Sequence, residues 1–515
     1  MVASSQPLAA QVGLDTLKRG GNAVDAAIAM AAVLNVTEPM MTGIGGDMVA
    51  LLYWADTGTV RGLNATGRAP RALTLDYFKQ RGMTEMPHSG MESITVPGAF
   101  DGWTTLLEEY GTMSLADLLL PAIEYAEQGF PVMQKTAKDW EDGSVVLHGN
   151  PLAVKNYLVN GRAPLPGEMF RQPNLARTFR LLALEGRDAF YRGEVARAIV
   201  DYLQENSGFL SLLDLEEHQS EWVEPIKTTY RDYTVYQIPP STQGLTALLA
   251  LNILEGFDLG ALQAQPELYY HTIIEALKIA FADRDRYIAD PAFNDVPVSQ
   301  LLSKNYARQR RALIDPDKAI SPPTLEVDLR PGDTTYFTVV DKDRNAISFI
   351  NSLSARFGSG IVAGETGILL HNRGDGFSLN SDHVNRFEPG KRPFHTLVPA
   401  MVLKDGDLFL SFGVIGGLMQ PQAQVQILVN LIDLEMGLQE AIEAPRCIYW
   451  GDKEVLLDEM DGGVVKGLLD RGHHRLIMPA LNGFTGGAQA IMVDLLNGTL
   501  MGGSDPRRDG VALGY

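Results

Sequence analysis

From Gly332 to Ser352, two alternating apolar runs flank the polar bend Asp343-Arg344-Asn345. Period-2 patterning on both sides of a bend predicts a β-hairpin. No other stretch constrains the chain as tightly, because half-buried strands need a second layer over their apolar face. The first strand opens with Thr334-Thr335, directly after Gly332-Asp333. Ahead of it, Pro322-Pro323 to Asp333 is polar, carries Pro and Gly and lacks periodicity, as an exposed, cleavable segment would.

The rest of the chain divides around this point. Ser5 is expected to cap a helix that begins near Pro7 and stops at Gly20-Gly21. Asn22 caps a second helix through about Val36, so rich in Ala and Val that it belongs between layers. Gly43-Ile44-Gly45-Gly46-Asp47 leads into strands Met48 to Trp54 and Val60 to Asn64. Lacking a P-loop Lys, its glycines predict close backbone packing rather than a phosphate cradle. From about Gly98 to Leu313 the text is mainly helical, with helices at Leu115 to Gln128, Leu175 to Glu185, Val195 to Asn206 and Leu268 to Arg286, and strand signals from Lys227 to Ile238. Strands dominate beyond Thr334: Gly367 to Leu370, Thr396 to Leu403, Leu408 to Val414, Ala488 to Leu495 and Leu500-Met501, with Gly416-Gly417 and an amphipathic helix from about Gln422 to Met436 between them. Helical cover before Thr334 and sheet after it predict an α+β layered fold built from both halves.

Charge and cysteine content narrow the partners. The 515 residues carry 43 Lys and Arg against 63 Asp and Glu, a net charge of -20, which argues against nucleic acid and anionic membrane surfaces. An anionic substrate then needs a local positive anchor. Cys447, the single cysteine, excludes an intramolecular disulfide and a multi-Cys metal site and reads as a small buried hydrophobe. No run reaches the roughly 18 apolar residues of a membrane span. A soluble protein is expected, cytoplasmic, or periplasmic or secreted if a leader has been trimmed ahead of Met1. His473-His474 lacks metal-ligand spacing and reads as a solvated loop, while Asp283, Asp285 and Asp290 near Arg284 and Arg286 read as a helix-end charge cluster. No metal and no cofactor are expected.

The chemistry starts from Thr334. A Thr hydroxyl is a poor nucleophile unless a neighbouring base takes its proton, and a free α-amino group with a pKa of about 8 can do so within one residue. Cleavage before Thr334 would create that base. Ser352, on the return strand, can orient the Thr334 hydroxyl, and the adjacent amides of Gly416 and Gly417 can form an oxyanion hole. Polar residues also stand in otherwise apolar loops: Thr66 and Arg68, Arg373, and His395-Thr396. Arg373 and Arg68 are candidate carboxylate anchors, since the guanidinium fork matches a carboxylate bidentately.

Seven segments carry a family likeness: Gly20-Gly21-Asn22-Ala23-Val24-Asp25-Ala26-Ala27, Gly43-Ile44-Gly45-Gly46-Asp47, Val96-Pro97-Gly98-Ala99, Asp333-Thr334-Thr335, Phe357-Gly358-Ser359-Gly360, Gly416-Gly417 and Asp505-Pro506-Arg507-Arg508-Asp509-Gly510. Together they resemble the γ-glutamyltranspeptidase family of N-terminal nucleophile hydrolases nearly end to end. The resemblance implies a proenzyme that cuts itself between Asp333 and Thr334, leaving parts of 333 and 182 residues. Residues 1–333 would be the mainly helical large subunit and 334–515 the strand-rich, nucleophile-bearing small one, joined in one four-layer αββα sandwich. The product would be a heterodimer, or a dimer of heterodimers, acting on a small-molecule amide through an acyl-Thr intermediate.

Where the transpeptidases carry an Arg for the glutamyl α-carboxylate, this chain has Thr66, with Arg68 two residues on. Their Thr and Asn after the hairpin correspond to Ser352 and Ser354, their α-amino-binding residues to Arg373 and Gly376, and their Ser-Ser pair to His395-Thr396. A site that loses an acidic partner and gains Arg373 no longer favours a substrate ammonium group there. This resembles the acylase and amidohydrolase branch, similar to glutaryl-cephalosporin acylases and oxamate amidohydrolases, whose acyl groups end in a carboxylate. The alternatives are a γ-glutamyl hydrolase or transpeptidase acting on glutathione-like amides and, more remotely, a non-catalytic binding relative.

Overall fold

The computed structural model describes residues 1–321, 333–477 and 483–515. The expected cleavable segment, Asp333 apart, therefore lies outside the described residues. The hairpin forms as expected: Asp333–Val340 pairs antiparallel with Ala346–Ser354, and Asp341 Oδ1 closes the bend by accepting from the Asp343 and Asn345 amides. It sits inside a seven-stranded antiparallel sheet ordered Val511–Leu513, Val2–Ser4, Asp333–Val340, Ala346–Ser354, Asp47–Trp54, Thr59–Ala65 and Glu221–Val223. A second, six-stranded antiparallel sheet runs Leu500–Ser504, Gly487–Val493, Asp407–Ile415, Ala400–Lys404, Tyr233–Gln237 and Ile226–Tyr230. Neither sheet closes on itself.

Strand alternation sorts the core. Val49, Leu51 and Tyr53 join Tyr336, Val340 and Ile350 of the first sheet and Met401, Leu403, Ile415 and Ile491 of the second in one cluster between the sheets. Met48, Ala50 and Leu52 point the other way, into a cluster with the helices Pro7–Lys18, Ala23–Thr37 and Leu115–Gln128. On the second sheet Val402, Leu410, Phe412 and Val414 pack against Gly244–Leu254, Pro266–Tyr287 and Met419–Ile432. The fold is mixed α/β, with helices on the outer face of each sheet. Ala23–Thr37 is buried at every position, as its Ala and Val content predicts, and Asn22 and Asp25 close its N-terminus as a capping box.

Several expectations need correcting. Gln6, not Ser5, caps the first helix, because the Ser5 hydroxyl is spent on Glu38 Oε2 at 2.7 Å. Gly367 to Leu370 follows a 3₁₀ turn, Gly364–Thr366, and holds an isolated bridge, Leu369 to Val362, rather than a strand. The helix expected to be amphipathic spans Met419–Ile432 and is buried from Met419 through Asn430. Its glutamines serve buried backbone instead of water: Gln420 accepts from the Val398 amide, Gln422 from Tyr449 and Gln426 from Cys447. Of the three clustered aspartates, Asp290 turns away to accept from the Arg392 amide.

His473 is not in a solvated loop either. It is buried, its Nε2 lies 2.8 Å from His271 Nδ1, and Glu275 approaches it. Among the described residues, these three form a group with metal-ligand chemistry. The Lys278 ammonium already supplies the cation there, 2.8 Å from Glu275 Oε1 and 3.4 Å from His473 Nδ1. Cys447 is buried, as expected. Among the described residues, no helix is long and apolar enough to cross a membrane.

Candidate active site

Two glycines bring the site together. A Cβ on Gly46 would lie 2.2 Å from Ser352 O, and one on Gly45 would lie 2.1 Å from Leu369 O. Only side-chain-free backbone lets this loop rest on the strand that carries Ser352, and the loop delivers Asp47 directly opposite Ser352 in the sheet register.

Thr334 is buried at the start of its strand, with its Oγ1 3.0 Å from Ser352 Oγ. Ser352 Oγ donates to the carbonyl oxygen of Asp333 at 2.9 Å. Its oxygen accepts from the Ser354 amide at 2.8 Å and from Arg373 Nη2 at 3.2 Å, which fill its two lone pairs, while the Thr334 hydroxyl stays within hydrogen-bond distance. Ser354, at φ 81, holds the left-handed backbone that aims its amide inward. The Asp333 carboxyl is pushed up to about 6 by burial, against the opposing charge of Arg356, whose Nε is 3.4 Å away.

Arg373 is buried on a 3₁₀ turn, Arg373–Gly376, and its Nη1 donates to Thr396 Oγ1 at 3.0 Å. Behind it stands Asp47, with Oδ2 3.5 Å from Arg373 Nε, 3.0 Å from His371 Nδ1 and 2.9 Å from His395 Nε2, while Oδ1 accepts from the Gly67 amide. Burial raises the Asp47 pKa, but the charge of His371 and the hydrogen bonds of His371 and His395 outweigh this and hold it well below the usual carboxylate range. His395 is pushed down to about 4 by burial and by Arg373, so it is neutral at ordinary pH. Its Nε2 donates to Asp47 and its Nδ1 accepts from the Leu397 amide, so both ring nitrogens are engaged inside the protein.

The other expected residues fall around this centre. The Thr66 hydroxyl bonds Asn64 Oδ1, and its carbonyl accepts from Arg392 Nε. Arg68 pairs with Glu221 and Asp290, with about a third of its side chain in solvent. Gly416 and Gly417 both adopt positive φ, 121 and 59, at the end of Asp407–Ile415. Across the sheets Thr338 Oγ1 meets Ser411 Oγ at 2.6 Å, and the Tyr336 ring lies against Gly413. Two further residues along each strand lead from Tyr336 to Thr334 and from Gly413 to Ile415, next to Gly416. Gln243, which no motif marked, donates through Nε2 to both Thr396 O and Gly417 O and so ties these two loops together. Asp47 and His371 were also missed, although Asp47 ends the family segment Gly43 to Asp47 and His371 stands two residues before Arg373.

The family model for gamma-glutamyltranspeptidase matches residues 9–515. A glutathione hydrolase-like proenzyme of Bacillus subtilis is 43% identical, the match covering 100% of this chain and 98% of the relative. An acylase proenzyme of Pseudomonas sp. is 37% identical over 99% of this chain and 92% of its own length. The crystal structure of a cephalosporin acylase from Bacillus halodurans superposes with a TM-score of 0.94 at 41% identity, covering 100% of this chain and 96% of that one. With matches that span the whole chain, the protein belongs to the gamma-glutamyltranspeptidase family of hydrolases and acylases.

Proposed function

We propose that the chain is an N-terminal threonine amidohydrolase that cuts itself between Asp333 and Thr334 and then hydrolyses an amide bond of a carboxylate-bearing acyl group. The observation that carries this reading is the bonded series Thr334, Ser352, Arg373 and Thr396, a nucleophile and a buried guanidinium that share one hydroxyl. In the uncut chain the Ser352 hydroxyl polarises the Asp333 carbonyl. Attack by Thr334 Oγ1 on that carbonyl carbon breaks the Asp333–Thr334 C–N bond, giving an ester and a free Thr334 α-amino group. Water then opens the ester to release the Asp333 carboxylate and restore the Thr334 hydroxyl. That amine then takes the hydroxyl proton as Thr334 attacks the substrate amide, the Gly416 and Gly417 amides hold the oxyanion, and water resolves the acyl-enzyme.

On this reading residues 1–333 and 334–515 are subunits of one αββα sandwich. Arg373, with Thr396 and Ser354, takes the acyl carboxylate. His395 supports Arg373 from behind, and Thr66 and Arg68 belong to the surrounding polar shell. The proenzyme names of the relatives support self-cleavage, and the acylase names support the acyl specificity. Likeness to a glutathione hydrolase-like protein favours a second reading, γ-glutamyl hydrolysis. Comparing glutaryl-p-nitroanilide with γ-glutamyl-p-nitroanilide separates the two, and strong preference for the latter sinks the first. Thr334→Ala is expected to leave an intact 56.2 kDa band on a denaturing gel and no activity. Continued cleavage in that variant would refute the nucleophile.

A further inference from the structure

Arg373 does not face a substrate unopposed. Its Nε is turned to Asp47, which leaves Nη1 and Nη2 directed at Thr396 and Ser352, the side on which Thr334 lies. Asp47 also binds His395, His371 and the Gly67 amide, so one carboxylate joins three loops, and Asp47, Arg373, His371 and His395 are all buried. The Asp47 carboxylate lies 3.5 Å from Arg373 Nε and 3.0 Å from His371 Nδ1, and between buried groups this close its charge offsets much of the Arg373 field that a bound anion would feel.

We propose that Asp47 is a positioning residue that sets specificity: an internal counter-ion that fixes the Arg373 fork toward Thr334 and limits how strongly Arg373 grips a substrate carboxylate. This rests on Arg373 being the acyl anchor. Asp47→Asn keeps the size and an acceptor while removing the charge. In the processed enzyme, the ratio of KM for glutaryl-p-nitroanilide to KM for pentanoyl-p-nitroanilide should fall about tenfold, whatever happens to kcat. A purely structural role would shift both KM values alike, and an unchanged ratio overturns the proposal.

Glutarate binding by calorimetry separates this inference from the functional reading. If the wild type hydrolyses neither anilide, that reading fails, yet tighter glutarate binding by Asp47→Asn than by wild type still supports the counter-ion role, and equal binding overturns it. Should Asp47→Asn fail to fold or process, Arg373→Gln is compared with the Asp47→Asn/Arg373→Gln double variant. The double variant should melt higher, because it no longer buries a carboxylate stripped of its guanidinium. Equal melting temperatures overturn the pairing.

Discussion

A buried guanidinium that donates to Ser352 and Thr396 while facing the Asp47 carboxylate is held in a single orientation, so on the proposed reading its loss is felt at Thr334 as well as at the substrate. Arg373→Ala should cost about 2–4 kcal/mol of transition-state binding for a carboxylate-ended amide, read as kcat/KM on the glutaryl anilide. A wild-type value would make the residue structural. Glu38 shows the opposite electrostatic situation. Burial pushes its pKa up to about 7 despite the Ser5 hydroxyl bond. An acid with a raised folded pKa contributes stability that is complete below its unfolded value, near 4.5, and is lost as pH rises through about 7. Glu38→Gln should therefore melt about 1–3 °C above wild type at pH 8, with the gain gone at pH 5. A constant difference across that range would contradict the assignment.

At the level of elements, the hairpin was readable because its pattern is local: alternation, a polar bend and a Thr pair at one end. The loop before Asp47 was readable for a similar reason, since glycines in succession forecast close packing. Its purpose was not, because His395, the partner of Asp47, lies 348 residues away and no spacing rule spans that gap. The helix Met419–Ile432 misled for a physical reason: its glutamines look like a wet face but feed buried backbone. Gly46→Ala tests the loop directly. With a methyl forced against Ser352 O, the loop and strand must part, at about 1–3 kcal/mol of stability and with slower self-cleavage. Denaturant melts and the cleaved fraction on gels measure both, and wild-type values in each would mean that loop and strand do not need the close approach.

For the whole molecule, the sequence suggested helices in one half and strands in the other, but the sheets are shared more thoroughly than that. The seven-stranded sheet takes Val2–Ser4, Asp47–Trp54, Thr59–Ala65 and Glu221–Val223 from before Thr334, and the hairpin and Val511–Leu513 from the later part. Val2–Ser4 lies between two strands of the later part, and Tyr233–Gln237 pairs with Ala400–Lys404 across the second sheet. Such pairings join residues hundreds of positions apart, which is why composition and periodicity could assign elements to halves without showing how the halves interlock. The consequence for a cut chain is mechanical. Pulling the two parts away from each other breaks backbone ladders in both sheets and opens the cluster between them. The cleaved protein should therefore elute as one species on native size exclusion and yield fragments of about two-thirds and one-third of its mass only in denaturant. Separation in native buffer would mean that the shared sheets do not hold the parts together.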